Sequence, residues 1–255
     1  MIPIGTAVPS RFPPIITWLL IATNCAVFLF QQTLSPAELN EFIEQFALIP
    51  AHYMDFFGYG DAEHGAADFL PFITMMFLHG GWLHLIFNMW TLWLFGPTIE
   101  DRLGHGRYLV FYFCCGIAAS LAQLIIDPTS TVPVLGASGA IAGVLGCYMG
   151  LFPFARVIIL VPILFVPLFF EVPAMAFIGL WFLIQVFQGI ADLFTSPVAG
   201  GVASWAHVGG FIAGLVFTPF IQWQKAGLPR LLRRRRRTRI QYAGAAMTCC
   251  HCRRR

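Results

Sequence analysis

Side chains able to bind or move protons are scarce in this sequence, and several sit inside otherwise apolar stretches. "FLHGGWLHLIFNMW" carries His79, His84 and Asn88, "LGASGAIAGVLG" carries Ser138, and "WAHVGGFIAGL" carries His207. A hydroxyl and an imidazole at hydrogen-bond reach form the smallest nucleophile–base pair. In such a pair His207 takes the Ser138 proton and later returns it to a leaving amine. A tetrahedral intermediate also needs donors aimed at its oxyanion. His84 and Asn88, four residues apart, project from one face of a helix and can supply two. The Ser138 N–H, at the start of a helix, can supply a third. Gly136 and Gly139 let the backbone turn sharply there and let a substrate approach. A plainer reading stands beside this one. Gly139–Gly143 and Gly210–Gly214 have the four-residue spacing of tight helix packing in membranes, and Ser138 can be filler in such an interface. His84 can be an interhelical donor, His79 a hydrated side chain near the water interface. His64 and His105 fall in loops and receive no role.

The elements that would position these groups follow from composition. Hydrophobic residues make up 58% of the 255 and charged ones 11%, against about one quarter charged in a soluble domain. So little polar surface points to lipid as the solvent and to a polytopic membrane protein. Apolar spans of roughly 20 residues, shorter where a helix starts in a protein-lined cavity, are expected at residues 15–30, 77–99, 108–126, 138–152, 174–194 and 205–223. The expected fold is all-α, a bundle of six transmembrane helices. "RVIILVPILFVPLFFEVP" is equally apolar but broken by Pro162, Pro167 and Pro173. Proline removes a backbone donor and clashes one turn back, so this stretch reads as interfacial or re-entrant, not as a seventh crossing.

Charge placement tests the count. With the N-terminus inside, the inner segments hold Arg11, Arg102, Arg107, Arg156, Lys225, Arg230, Arg233 to Arg237, Arg239 and Arg253 to Arg255, which is all 15 Lys and Arg residues. The outer loops, 31–72, 127–137 and 195–204, have none. This satisfies the positive-inside rule, and a seventh crossing would reverse the arginine-rich tail. The second, fourth and sixth spans then all descend from the outer side. Their first turns share one depth, where Ser138, His207, His84 and Asn88 can converge.

The remaining segments are less specific. The first apolar stretch lacks an A-x-A-like cleavage site and is followed by further spans, so it reads as a span and not as a signal peptide. "SPAELNEFIEQFALIP" reads as a short amphipathic helix, with Ser35 as cap and Pro36 at its first position. Its Leu39, Phe42, Ile43 and Phe46 form an apolar face for the bilayer surface. "FFGYGDAEHGAADF" reads as loop. "RLLRRRRRTR" most simply meets anionic lipid headgroups, and nothing else supports nucleic-acid binding. Cys25, Cys114, Cys115 and Cys147 read as small buried hydrophobes. Cys249, Cys250, His251 and Cys252 form one cramped cluster, whereas a zinc site usually needs two separated ligand pairs, so no metal is expected.

Taken together, "GASG" around Ser138, "HLIFN" with His84 and Asn88, and "AHVGGFIAG" with His207, Gly210 and Gly214 resemble the rhomboid family of intramembrane serine proteases. "EDRLG", with Glu100 and Arg102, adds to the resemblance, which covers residues 72–223. It implies hydrolysis of a peptide bond in or near a membrane-spanning substrate helix, without metal or cofactor. The family's dyad maps to Ser138 and His207, and its oxyanion contacts to His84, Asn88 and the Ser138 amide. Substrates in the family tend to have a small residue before the cut and helix-destabilising residues nearby. Two departures bear on this chain. Many members carry a Trp-Arg pair where this sequence reads "FLPF". An aromatic or polar residue one turn after the nucleophile often packs on the catalytic histidine, and here it is Ala142, with no acidic third member in view.

The domain organisation expected is a membrane domain over residues 1–225 and a basic cytoplasmic tail over 226–255, disordered or partly helical. The partners expected are transmembrane segments of protein substrates and the bilayer, in a bacterial inner membrane, with both termini cytoplasmic and the site near the extracytoplasmic face. A rhomboid-like protein that captures membrane helices for trafficking or quality control without strong catalysis is the alternative. A transporter or channel would need polar groups at the inner ends as well, and the absence of HExxH disfavours a zinc protease. The fifth span and "TSPVAGGVAS" are the expected mobile element that admits substrate.

Overall fold

The computed structural model describes residues 2–57, 65–163, 166–194 and 203–226. The chain divides into a unit Met1–Thr218 and a second, Pro219–Arg255, which is described only to Ala226. The basic run, the Cys249–Cys252 cluster and most of "TSPVAGGVAS" lie outside the described residues.

Eight α-helices and three strands are present among the described residues: β1 (Ile2–Thr6), α1 (Ile15–Gln31), α2 (Pro36–Phe46), α3 (Pro71–Thr74), α4 (Trp82–Leu103), α5 (His105–Ile126), α6 (Ser138–Leu151), β2 (Arg156–Ile163), β3 (Val166–Pro173), α7 (Ala174–Asp192) and α8 (Ser204–Ala226). α1, α4, α5, α6, α7 and α8 fall on the six expected spans. By length and composition, α5, α7 and Ser204–Ile221 of α8 suffice to cross a membrane. Ala66–Phe77 with α4, bent by 82°, makes a fourth if taken as one span, and α1 and α6 are shorter apolar helices.

The shortness of α6 has a physical consequence. Its 14 residues rise about 21 Å at 1.5 Å each, less than the roughly 30 Å of a hydrocarbon core. A helix this short can persist at membrane depth only inside protein. Accordingly every residue from Gly139 to Tyr148 is buried, with α4, α5 and α7 packed around it. The core therefore lies along α6, where Phe95 meets Tyr148 edge-on at 5.0 Å.

Loop contacts sort the helix ends into two groups. At one end Leu48 and Val134 exchange backbone hydrogen bonds of 3.1 and 2.7 Å, and Ala51 N–H donates to Ser130. The segment after α2 and the loop after α5 therefore share that end. At the other, buried Glu100 accepts from Ile16 N–H and Thr17 N–H at 2.9 Å and from the Thr17 hydroxyl at 2.7 Å. His105 Nδ1 lies 2.6 Å from the same carboxylate, and Arg11 N–H donates to Asp101. The start of α1 and the α4–α5 corner share this second end.

The proline-rich stretch forms a β-hairpin. β2 and β3 pair antiparallel from Arg156↔Pro173 to Ile163↔Val166, so the chain returns to the level at which it left α6 and does not cross. β1 adds a third strand on the free edge of β2. The sequence reading placed no strand here. Three closely spaced prolines disfavour a helix, and cross-strand pairing supplies the bonds that the backbone would otherwise lack. α2 has the expected cap. The Ser35 hydroxyl accepts from Glu38 N–H at 3.4 Å and Glu38 accepts from Ser35 N–H at 2.8 Å, a reciprocal pair that satisfies two end donors and holds the Glu38 carboxyl below its ordinary pKa. Nearby, the Tyr53 hydroxyl donates to the Asp68 carbonyl at 2.6 Å, and burial together with the Asp68 charge pushes it up to about 12.

Candidate active site

Ser138 opens α6, His207 lies in the first turn of α8, and His84 and Asn88 lie one turn apart near the start of α4. The His207 Nε2 is 2.7 Å from the Ser138 Oγ. His207 is buried at 8% exposure, and Ser138 is half-buried. The plainer reading of Ser138 as filler in a helix interface therefore leaves a direct contact with His207 to be explained.

Small residues set that distance. A Cβ on Gly139 would come within 2.6 Å of the Ala119 Cβ on α5, and one on Gly210 or Gly214 would fall on the carbonyl oxygen of Gly139 or Gly143. Gly143 itself lies against Cys115 and the Gly210 carbonyl. These glycines bring the backbones of α6 and α8 together, as small residues do in membranes. The Gln123 side-chain Oε1 on α5 accepts from Ala206 N–H at 3.3 Å, fixing the backbone just before His207.

Gly136 joins the loop to α4. Its φ of +120° is a conformation that side-chain-bearing residues rarely adopt, and its N–H donates to the Met75 carbonyl at 2.8 Å. A Cβ here would come within 2.7 Å of the His84 ring and 3.6 Å of the Asn88 Nδ2. His84 and Asn88 thus lie against the backbone two residues before Ser138. The first N–H groups of α6, beginning at Ser138, precede any intrahelical partner.

His79 is placed differently from the sequence reading. It is 2% exposed, not hydrated at an interface. Buried Gln31, at the end of α1, accepts from His79 N–H at 3.1 Å and donates to its carbonyl at 3.2 Å. The His79 Nε2 lies 3.1 Å from the Asn88 Nδ2. Since Nδ2 only donates, His79 accepts, and Asn88 keeps a second N–H for another partner.

Two residues of α7 that the sequence reading passed over also reach the site. The Gln185 Oε1 is 2.6 Å from the His207 Nδ1, and the Trp181 ring lies 5.8 Å from the His207 ring. Ala142, at the position one turn after Ser138, is fully buried in α6. A glutamine interrupting the apolar run "FLIQVF" was the available signal. No group of three or more His, Cys, Asp or Glu able to hold a metal occurs among the described residues.

The Rhomboid domain family matches residues 66–224. Rhomboid protein 1, mitochondrial, of Saccharomyces cerevisiae is 28% identical over 242 residues, 91% of this chain and 58% of its own length. Rhomboid protease GluP of Bacillus subtilis is 42% identical over 77 residues, 30% of this chain and 15% of its own. Rhomboid-like protease 5 of Toxoplasma gondii is 32% identical over 148 residues, 56% of this chain and 15% of its own. The chain thus spans less than two thirds of each of these relatives.

Proposed function

Because this chain belongs to the rhomboid family, a family of multi-pass integral membrane proteins, we propose that it is an intramembrane serine protease. Its substrate is a protein with a membrane-spanning segment, cut in or near that segment by Ser138 with His207 as general base. The observation that carries this reading is the 2.7 Å contact between Ser138 Oγ and His207 Nε2.

The mechanism uses only side chains and backbone of this chain. The Ser138 Oγ attacks the scissile carbonyl while His207 Nε2 takes its proton. Negative charge then gathers on the carbonyl oxygen, where His84, the free N–H of Asn88 and the Ser138 amide donate to it. As the intermediate collapses, His207 protonates the leaving amine. Water repeats the sequence on the acyl-enzyme. A substrate helix hides its carbonyls in its own hydrogen bonds, so the segment must unwind before attack, which accounts for a preference for helix-destabilising residues near the cut.

Placement follows charge. All 15 Lys and Arg residues fall in the N-terminal segment, the α4–α5 corner, the Arg156 region and the tail, which sets both termini on the positive, cytoplasmic side and the site toward the opposite face. The relatives carry both a mitochondrial and a bacterial name, so the similarity does not single out the bacterial inner membrane.

Ser138→Ala and His207→Ala are each expected to abolish cleavage of a single-span model substrate without loss of folded protein. A fluorophosphonate probe is expected to label Ser138 and to lose its labelling when His207 is replaced. Cleavage that persists in Ser138→Ala rejects the mechanism. A folded wild-type protein that binds spans but neither cleaves nor labels favours the helix-capturing alternative.

A further inference from the structure

The base His207 has two ring nitrogens, and only one faces Ser138. The other, Nδ1, is 2.6 Å from the Oε1 of Gln185, which is itself 7% exposed. We propose that Gln185 is the positioning residue for His207, a neutral third member that fixes the imidazole's tautomer and aim. This rests on the reading of Ser138 and His207 as nucleophile and base.

The argument is first one of donors and acceptors. An amide oxygen only accepts, so the proton of neutral His207 sits on Nδ1 and the Nε2 lone pair is left to receive the Ser138 proton. A third group that holds the imidazole in this tautomer is what the acid supplies in water-exposed serine hydrolases. A carboxylate at membrane depth would bury a charge beside a neutral ring, which is costly in lipid. An amide gives the same tautomer without it.

The second part is that α7 is built to hold Gln185 there. Trp181, Gln185 and Gly189 recur every four residues and so share a helix face. That face meets the start of α8. Trp181 lies 5.8 Å from the His207 ring and 6.4 Å from Phe211, and a Cβ on Gly189 would come within 2.9 Å of Trp205. Three residues on, Asp192 accepts from the Ser204 hydroxyl at 3.2 Å. α7 thus supplies the His207 ring with both a tilted aromatic contact and an acceptor. The base is therefore aimed from α7, although α7 provides no reacting atom.

The test compares kcat and KM of the full-length chain, reconstituted in vesicles with a fluorogenic single-span substrate, for wild type, Gln185→Leu, Gln185→Met and Gln185→Glu. Leu and Met remove the acceptor, and kcat is expected to fall about 10- to 100-fold, part of the 10²- to 10⁴-fold that base catalysis supplies, with KM within about twofold. Gln185→Glu keeps an oxygen at the same reach and is expected to recover most of the loss. Equal losses in all three variants, or wild-type kcat in either acceptor-free one, would overturn the proposal. Histidine ¹⁵N spectra of the wild-type protein, with the His207 signals assigned by their absence in His207→Asn, test it without relying on a Gln185 variant. Protonated Nδ1 is expected, and protonated Nε2 overturns the role. Ser138→Ala run in parallel separates the two claims. If it still cleaves, the protease reading fails; if it is inert while Gln185→Leu keeps full kcat, only the Gln185 role fails.

Discussion

An oxyanion formed at Ser138 would meet donors of unequal rigidity. Asn88 is held by His79, which is in turn held by Gln31 through two backbone bonds, so its free N–H is aimed by a chain of buried contacts. His84 is half-buried and rests against Gly136. Removing either donor by Asn88→Ala or His84→Ala is expected to lower kcat by about 10²- to 10³-fold, the usual cost of one oxyanion donor, while KM changes little. Steady-state cleavage of a model substrate measures it, and a rise in KM at constant kcat would assign these residues to substrate binding instead. The candidate groups Ser138, His207, His84 and Asn88 could be read from sequence because each is polar in an apolar span and lies near the start of a co-directional helix. Gln185 could not. It lies on a helix running the other way, where level depends on how far α7 slides along α8. The burial of His79 was equally hidden, because its partner Gln31 belongs to a different helix.

At the scale of elements, the close approach of α6 to α8 sets the reach between hydroxyl and imidazole. Gly214→Val would place side-chain carbons on the Gly143 carbonyl, and backbone cannot step aside as a flexible side chain can. The expected result is a loss of about 1–3 kcal/mol or more from overpacking, together with loss of cleavage as Ser138 and His207 separate. Gly179→Ala on α7, where an added Cβ meets nothing within 4 Å, should change stability by no more than about 1 kcal/mol. Denaturant titration followed by tryptophan fluorescence compares them, and equal stability and activity in both would refute the packing account. Helix positions were legible because apolar runs of this length have few alternatives in lipid. The sheet was not. Proline spacing in "RVIILVPILFVPLFFEVP" excludes helix, yet the run does not alternate, and the third strand comes from Ile2–Thr6, far upstream, which no local pattern announces.

For the whole molecule, two independent observations divide the chain in the same way. Backbone contacts join the segment after α2 and the loop after α5 at one end, and Glu100 joins the start of α1 to the α4–α5 corner at the other. Lys and Arg are absent from residues 31–72 and 127–137 and present in the N-terminal segment, at 101–107 and at Arg156. Charge decides which end faces the positive side, since short basic loops are retained there. Thr131 and Gly106 are exposed residues at opposite ends, and a Cβ at Gly106 meets nothing within 4 Å. In a background with Cys249, Cys250 and Cys252 replaced by serine, Thr131→Cys is expected to react with a membrane-impermeant maleimide added outside intact cells or vesicles. Gly106→Cys is expected to react only after permeabilisation. A reporter fused after Arg255 should behave as Gly106→Cys does. Labelling of both cysteines from the same side would contradict the alternation of ends, and labelling of Gly106→Cys alone would invert the orientation and place Ser138 toward the wrong face of the membrane.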